Sequence, residues 1–256
     1  MNELHRTYQQ IFDSNNNYDG KHVKNYIQKL EELNSFLPPL ESFILITNTS
    51  NGRYEFISNN FEKTLGLDRD KMMAEGLNYY LSFYHPDDLP ILLKVFEELM
   101  VFTMENLSLE ERKNVIYTWK YRVKNGKGVY KNMHVQQTPI FFDPNGRPII
   151  GYSHNTIIGE NKPIPIIGSC KLLNNKNEYE TIFQKNYSME HFHLELSNRE
   201  TDVVRLMATS NSTKKIAEKL NISPNTVEVH RKNILQKLDF ETTAEIIEYC
   251  NKYHFY

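Results

Sequence analysis

The sequence predicts an α+β protein in two parts: a five-stranded antiparallel sheet carrying helices, followed by an all-α domain of four helices. Three observations lead there. Apolar residues follow strand-like patterns in five runs between Ser42 and Ile158, they recur at helical spacing from Leu196 onward, and a net charge of −2 conceals a basic stretch near the C-terminus. At 256 residues, 39% of them hydrophobic, the chain has the length of two ordinary domains. Its longest apolar stretches, such as Phe43 to Ile46, are a few residues long, so neither a signal peptide nor a membrane span is expected. The two cysteines, Cys170 and Cys250, stand far apart without a Cys/His cluster, which argues against a disulfide framework or a zinc site and for a reducing, cytoplasmic setting.

Residues 1–39 read as helical. Val23, Tyr26, Ile27, Leu30, Leu33 and Leu37 make one helix face before Pro38-Pro39, and Leu4, Tyr8, Ile11 and Phe12 make a shorter one. Such faces need a partner, either the following domain or a second copy. Residues 40–160 hold the sheet. FILIT and RYEFI flank Asn51-Gly52 as a hairpin. A helical region runs from Asn59 to about Met104, broken by Gly66, Gly76 and the loop His85-Pro86-Asp87-Asp88. Three strand-like runs follow, Val115 to Val123, Val129 to Phe142 and Arg147 to Ile158, separated by Asn125-Gly126 and Asp143-Pro144-Asn145-Gly146. Residues 161–195 read as an extra hairpin around Asn174-Asn175 and a short linker.

This order of elements resembles the PAS sensor fold. The segment FISNNFEKTLGLDRDKM (Phe56 to Met72) is similar to the family's strand-to-helix passage, YHPDDLP (Tyr84 to Pro90) to its His-Pro-x-Asp loop, and FFDPNGRPIIG to its last hairpin. Where the family usually closes on Asp-Ile-Thr this chain has Asn155-Thr156-Ile157, without the Asp that ties such domains to their output. The resemblance implies a cavity able to take a small-molecule ligand. No Cys stands in the context used for flavin adducts and no His in the helix Ile91 to Met104 where haem-binding relatives carry one, so no cofactor is expected.

From Leu196 on, the helix boundaries are written in capping chemistry. Ser197 and Glu200 form a capping box, Ser212 or Thr213 can cap a second helix, Ser223 caps a third that opens on Pro224, and Thr242 with Glu245 caps a fourth. Val203, Val204, Leu206 and Met207, then Ile216, Ala217 and Leu220, then Ala244, Ile247 and Cys250 supply the buried sides. Two short helices joined at Asn221-Ile222 and followed by a longer one form a helix-turn-helix pattern. On the third helix Val227, Ile234 and Leu238 share one side, and Asn225, Glu228, Val229 and Lys232 the other. Six Lys/Arg against two acids give Ser210 to Leu238 a net +4. A helix of this kind fits the major groove of DNA, with Arg231 flanking it.

The stretch LSNRETDVVRLMATSNSTKKIAEKLNISPNTVEVHRKNILQKL resembles the LuxR-type DNA-binding domain over residues 196–256. The resemblance implies double-stranded DNA as partner, with Lys214, Lys215 and Thr226 near phosphates, Glu228, Val229 and Lys232 near base edges, and the last helix at a homodimer contact. RNA polymerase is a further partner such a regulator would meet. Ser210, Thr213 and Lys215 depart from the family's usual Gly, Asn and Glu.

Histidines and acids offer no alternative chemistry. His85 is read as structuring its loop, His230 as a semi-buried packing residue, and His191 and His193 lack a third ligand. GxSxG, HExxH, P-loop and dinucleotide fingerprints are absent, so catalytic residues are not expected. Two functions follow: a transcription regulator whose sensor domain takes a small ligand, or one whose sensor domain works through protein contacts alone.

Overall fold

A computed structural model describes residues 3–12, 21–160, 164–187, 196–209, 211–238 and 240–252. The chain forms two compact units, Met1–Lys185 and Asn186–Tyr256.

The first unit opens with α1 (Glu3–Phe12) and α2 (Lys21–Asn34). Next come β1 (Ser42–Asn48), β2 (Arg53–Ile57), α3 (Asn60–Leu65), α4 (Arg69–Glu75), α5 (Leu77–Leu81), α6 (Asp88–Asn106) and α7 (Leu109–Arg112). Five strands complete it: β3 (Val115–Lys124), β4 (Tyr130–Phe142), β5 (Pro148–Glu160), β6 (Ile167–Leu173) and β7 (Tyr179–Asn186). The strands form one sheet in the order β2-β1-β5-β4-β3-β6-β7.

That sheet has seven strands, not the five the sequence predicts. The hairpin expected between residues 161 and 195 is there, but instead of standing apart it prolongs the sheet from the flank of β3. Val115 pairs with Leu172 and Thr118 with Ser169, where the two hydroxyls lie 2.7 Å apart. The physical reason lies in β3, a ten-residue strand that would otherwise leave a long row of backbone groups unpaired. The expected linker falls on residues 188–195, outside the described residues.

Period-two alternation is clearest in β3, where Val115, Tyr117, Trp119, Tyr121 and Val123 are buried and the residues between them are not. In β1 the same alternation sends Phe43, Leu45 and Thr47 to one face and Ile44 and Ile46 to the other. Phe43 meets Phe61 of α3 edge-on, ring centroids 5.1 Å apart, so the first face is the one under helices α3 to α6. The second face is covered in part as well. Val23, Ile27 and Leu30 of α2 pack with Ile46, Phe56 and Tyr152, which attaches α2 to this unit and puts helices on both sides of the sheet. Tyr26 and Leu33 of the same expected stripe stay exposed.

Two glycines hold a turn that the spacing alone marks only as a break. Gly66 ends α3 with φ +64°, in the left-handed region, and Gly126 donates to the Leu65 carbonyl at 2.8 Å. A Cβ on Gly126 would overlap the Gly66 carbonyl oxygen, a backbone atom that cannot swing away. Gly126→Ala is therefore expected to destabilise this unit by about 1–3 kcal/mol, the usual range for overpacking. Urea unfolding followed by the fluorescence of Trp119, the chain's single tryptophan, checks it.

The second unit holds α8 (Asn198–Ala208), α9 (Thr213–Leu220), α10 (Pro224–Leu238) and α11 (Thr243–Lys252). Its core contains Val203, Val204, Met207, Ile216, Val227, Ile234, Ile246 and Cys250, all buried. Each large apolar side chain hidden there contributes about 1.5–3 kcal/mol. The last helix departs from expectation: Ala244 is exposed and Ile246 is fully buried in its stead. Ile246 and Cys250 are four residues apart and make one ridge against the core, which buries a larger side chain than the Ala244 spacing would.

Candidate DNA interface and candidate ligand cavity

The four helices of the second unit are set by their first residues. Ser197 accepts from the Glu200 amide while the Glu200 carboxylate accepts from the Ser197 amide at 2.8 Å, closing the box that the sequence predicts. The same carboxylate accepts from Lys237 of α10 at 2.8 Å, so one acid both starts α8 and ties it to the end of the longest helix. Burial alone would raise its pKa, but the bonds from Lys237 and Ser197 outweigh that and hold it below the usual carboxylate range. Ser212 rather than Thr213 caps α9, Asn221 ends it in the left-handed region, and Ser223 accepts from the Thr226 amide at 3.0 Å to start α10. The turn between α9 and α10 is thus closed by the Asn221 backbone at one end and by the Ser223 side chain at the other.

Helix α10 is 15 residues long, about 22 Å. With Val227 and Ile234 sealed in the core, its outer side presents Asn225, Glu228, Val229 and Lys232, all exposed. Val229 is 58% exposed, an apolar residue left in water on an otherwise polar face. Lys214 and Lys215 are exposed in the first turn of α9, and Thr226 is half-buried with its hydroxyl 2.8 Å from that of Ser223. Arg231 is placed differently from the rest. Its side chain is only 18% exposed and lies 3.3 Å from the Glu228 carboxylate, along its own helix. Glu228 also accepts from the Thr213 hydroxyl at 2.8 Å, across from α9. Two groups therefore fix the Glu228 carboxylate, an arrangement not read from the sequence. The signal was present in Thr213, one of three departures from the resembled pattern. His230 is half-buried in the same helix.

Within the first unit, the helix-covered face of the sheet lines a cavity of about 80 Å³. Tyr80 and Tyr121 bring their hydroxyls to 2.7 Å, and Tyr84 stacks on Tyr121 with 4.4 Å between centroids. Burial pushes the phenols of Tyr54, Tyr80, Tyr84 and Tyr121 well above their ordinary pKa, so each stays a neutral donor. Thr47, Gln137, Ser153 and Asn155 add neutral polar groups, and none of the described lining residues is charged. Asn155, which stands where the PAS pattern has Asp, is buried, and its side-chain amide donates to the Ser153 hydroxyl at 3.1 Å. Among the described lining residues there is neither His nor Cys. Alternation in β3 could have announced Tyr117, Trp119 and Tyr121 as one inward face; the tyrosines of α5 and its following turn carry no such signal.

The remaining candidates settle as follows. His85 donates from its backbone to the Arg122 carbonyl at 2.9 Å, and its ring lies 4.6 Å from that of Tyr130. Burial first, and Arg122 second, lower its pKa. Cys170 and Cys250 are both buried free thiols, pushed up to about 12 by that burial and correspondingly unreactive. His191 and His193 lie outside the described residues. Among the described residues no group of three potential ligands could hold a metal, and no helix is long and apolar enough to cross a membrane.

A sensor-type sheet-and-helix fold with a separate helix-turn-helix is the class these two units define. Residues 54–153 match the PAS fold profile, and residues 194–250 match the profile of bacterial regulatory proteins, luxR family. The chain thus carries a PAS fold over residues 54–153 and a LuxR-type helix-turn-helix domain over residues 194–250. Over 57 residues it is 44% identical to the oxygen regulatory protein NreC of Staphylococcus carnosus (strain TM300), which spans 22% of this chain and 26% of that protein. Over 63 residues it is 40% identical to the fimbriae Z protein of Salmonella typhimurium (strain LT2), spanning 25% and 30%. The match thus spans under a third of the length of either curated relative. Among solved structures, a phage VqmA-DPO complex aligns at 15% identity with a TM-score of 0.36 over 90% of this chain and 89% of that one. A Drosophila melanogaster Cycle PAS-B domain aligns at 15% identity and 0.34 over 45% and 99%.

Proposed function

We propose that this chain is a sequence-specific, cytoplasmic transcription regulator that binds double-stranded DNA as a homodimer through α9 and α10, and that its PAS unit answers to a small uncharged ligand. One observation carries the first half. The outward side of α10 offers Asn225, Glu228, Val229 and Lys232 together, while the exposed Lys214 and Lys215 begin the neighbouring helix. Base-edge groups and phosphate partners then sit on adjoining elements, which is what groove reading requires. Glu228 would accept from a cytosine amino group, Val229 would meet a thymine methyl, and Lys232 would donate to guanine. Arg231 contributes by holding Glu228 in place, with Thr213 on its other side. The neutral, tyrosine-lined cavity supports the second half and favours a ligand over a purely protein-contact mode. RNA polymerase remains the partner through which such a regulator would act.

Selection of bound duplexes from a random pool tests the proposal. The expected result is a two-fold-related pair of half-sites about one helical turn apart, bound by two chains in a sedimentation experiment. A pool that stays random after repeated selection, or a monomer on one half-site, would count against it.

A further inference from the structure

Helix α1 places a side chain from the start of the chain inside the PAS cavity. Tyr8 is 6% exposed, and its ring lies edge-on to Phe96 of α6 with 6.1 Å between centroids. It lines the same space as Tyr54 and Tyr84. A ten-residue helix is too short to hold together in water by itself, so its docking rests on contacts with the rest of the unit. Those contacts include Tyr8, the buried Ile11, and a 2.7 Å bond from the Arg147 guanidinium to the Ile11 carbonyl.

Volume decides what this means. With Tyr8 in place about 80 Å³ is free, whereas an apolar cavity that takes up benzene measures about 150 Å³. An aromatic ring cannot enter beside Tyr8. It can enter in its place, because the phenol already occupies a ring-shaped site bordered by aromatic edges and neutral hydroxyls.

We propose that Tyr8 is a built-in plug of the PAS cavity, and that the ligand is a neutral single-ring aromatic with a hydrogen-bonding substituent which displaces this phenol and releases α1. The inference rests on reading the cavity as the sensor site and adds to it the ligand's class and the segment that reports its arrival. A charged ligand finds no counter-charge among the described lining residues, and burying an unpaired charge there is prohibitive. The plug also lowers apparent affinity by the fraction of time it stays in, so removing it must tighten binding.

The side-chain analogue p-cresol is the probe, titrated calorimetrically into the full chain and into Tyr8→Ala. Tyr8→Ala is expected to bind it about tenfold more tightly or better. Saturating p-cresol is expected to speed backbone amide exchange across residues 3–12 of the wild-type chain. Equal affinities, or exchange slowed across residues 3–12 as under a closed lid, would overturn the plug while leaving a ligand cavity standing. Binding to neither protein would overturn the plug and the ligand-sensing half of the proposed function together, without touching the duplex selection. Should Tyr8→Ala fail to fold, the exchange measurement on the wild-type chain decides alone, and Tyr8→Phe, which keeps the ring, is expected to match the wild-type affinity within about threefold.

Discussion

Replacing Asp88 with Ala is expected to cost the PAS unit about 3–5 kcal/mol, the range seen when one member of a buried ion pair is removed. Asp88 is 1% exposed at the start of α6. Its carboxylate accepts from the Arg122 amide at 2.8 Å and from the guanidinium through Nε at 3.0 Å and through Nη2. The Arg122 carbonyl meanwhile accepts from His85, so Arg122 ties both ends of the His-Pro-Asp-Asp loop to β3. Losing the acid removes the carboxylate from beside a guanidinium whose side chain is only 14% exposed. Against a total stability of about 5–15 kcal/mol, that loss brings the unit close to unfolding. Trp119 lies in β3 and reports on this unit, so a urea titration read by its fluorescence isolates the effect. The double variant Asp88→Ala/Arg122→Leu should lose less than the two single variants summed, because it leaves no charge unpaired. A single-variant loss below about 1 kcal/mol would mean that water reaches the pair and that the loop is held by something else.

Lys214→Ala and Lys232→Ala are expected to fail in different ways. Lys214, exposed at the start of α9, is assigned by the proposed function to the phosphate backbone, where it would supply charge without reading sequence. Its loss in both subunits of a dimer should flatten the plot of log affinity against log salt by roughly 1.8 and weaken every duplex alike. Lys232, two turns along the outer side of α10, should cost about 1–3 kcal/mol on the selected duplex and much less on a scrambled one. Anisotropy titrations at three salt concentrations on both duplexes separate the two patterns. Equal losses from both variants on both duplexes would mean that the reading face of α10 is assigned wrongly.

The C-terminal helices were legible because their signals are local. A capping box spans four residues, and Ser197, Ser223 and Thr242 all cap as their spacing predicts. The PAS sheet was legible for the same reason, through alternation and turn residues. What escaped depended on partners distant in sequence. Strand β7 reads as an isolated hairpin arm because its side chains are mostly exposed and announce no neighbour. The choice of Ile246 over Ala244 is made by the core that α11 meets, and the fixing of Glu228 needs Thr213, fifteen residues away on another helix. The tyrosine cavity is the extreme case, assembled from five strands, two helices and the N-terminal helix.

The hairpin that lengthens the sheet also determines how that sheet can meet another molecule. Its last strand, Tyr179–Asn186, carries Glu180, Gln184 and Lys185, with Lys185 bound to Glu98 of α6 at 2.8 Å. The opposite margin is the five-residue β2, with an exposed Arg53. A second sheet seeking to continue the ladder would find one margin guarded by charge and the other too short to template it. Growth of this protein by strand addition, the first step toward fibrils, is thereby discouraged at both ends. A pairing of two PAS units would therefore have to use side chains on a face or along a helix, contacts that form and dissolve more readily than a continued ladder.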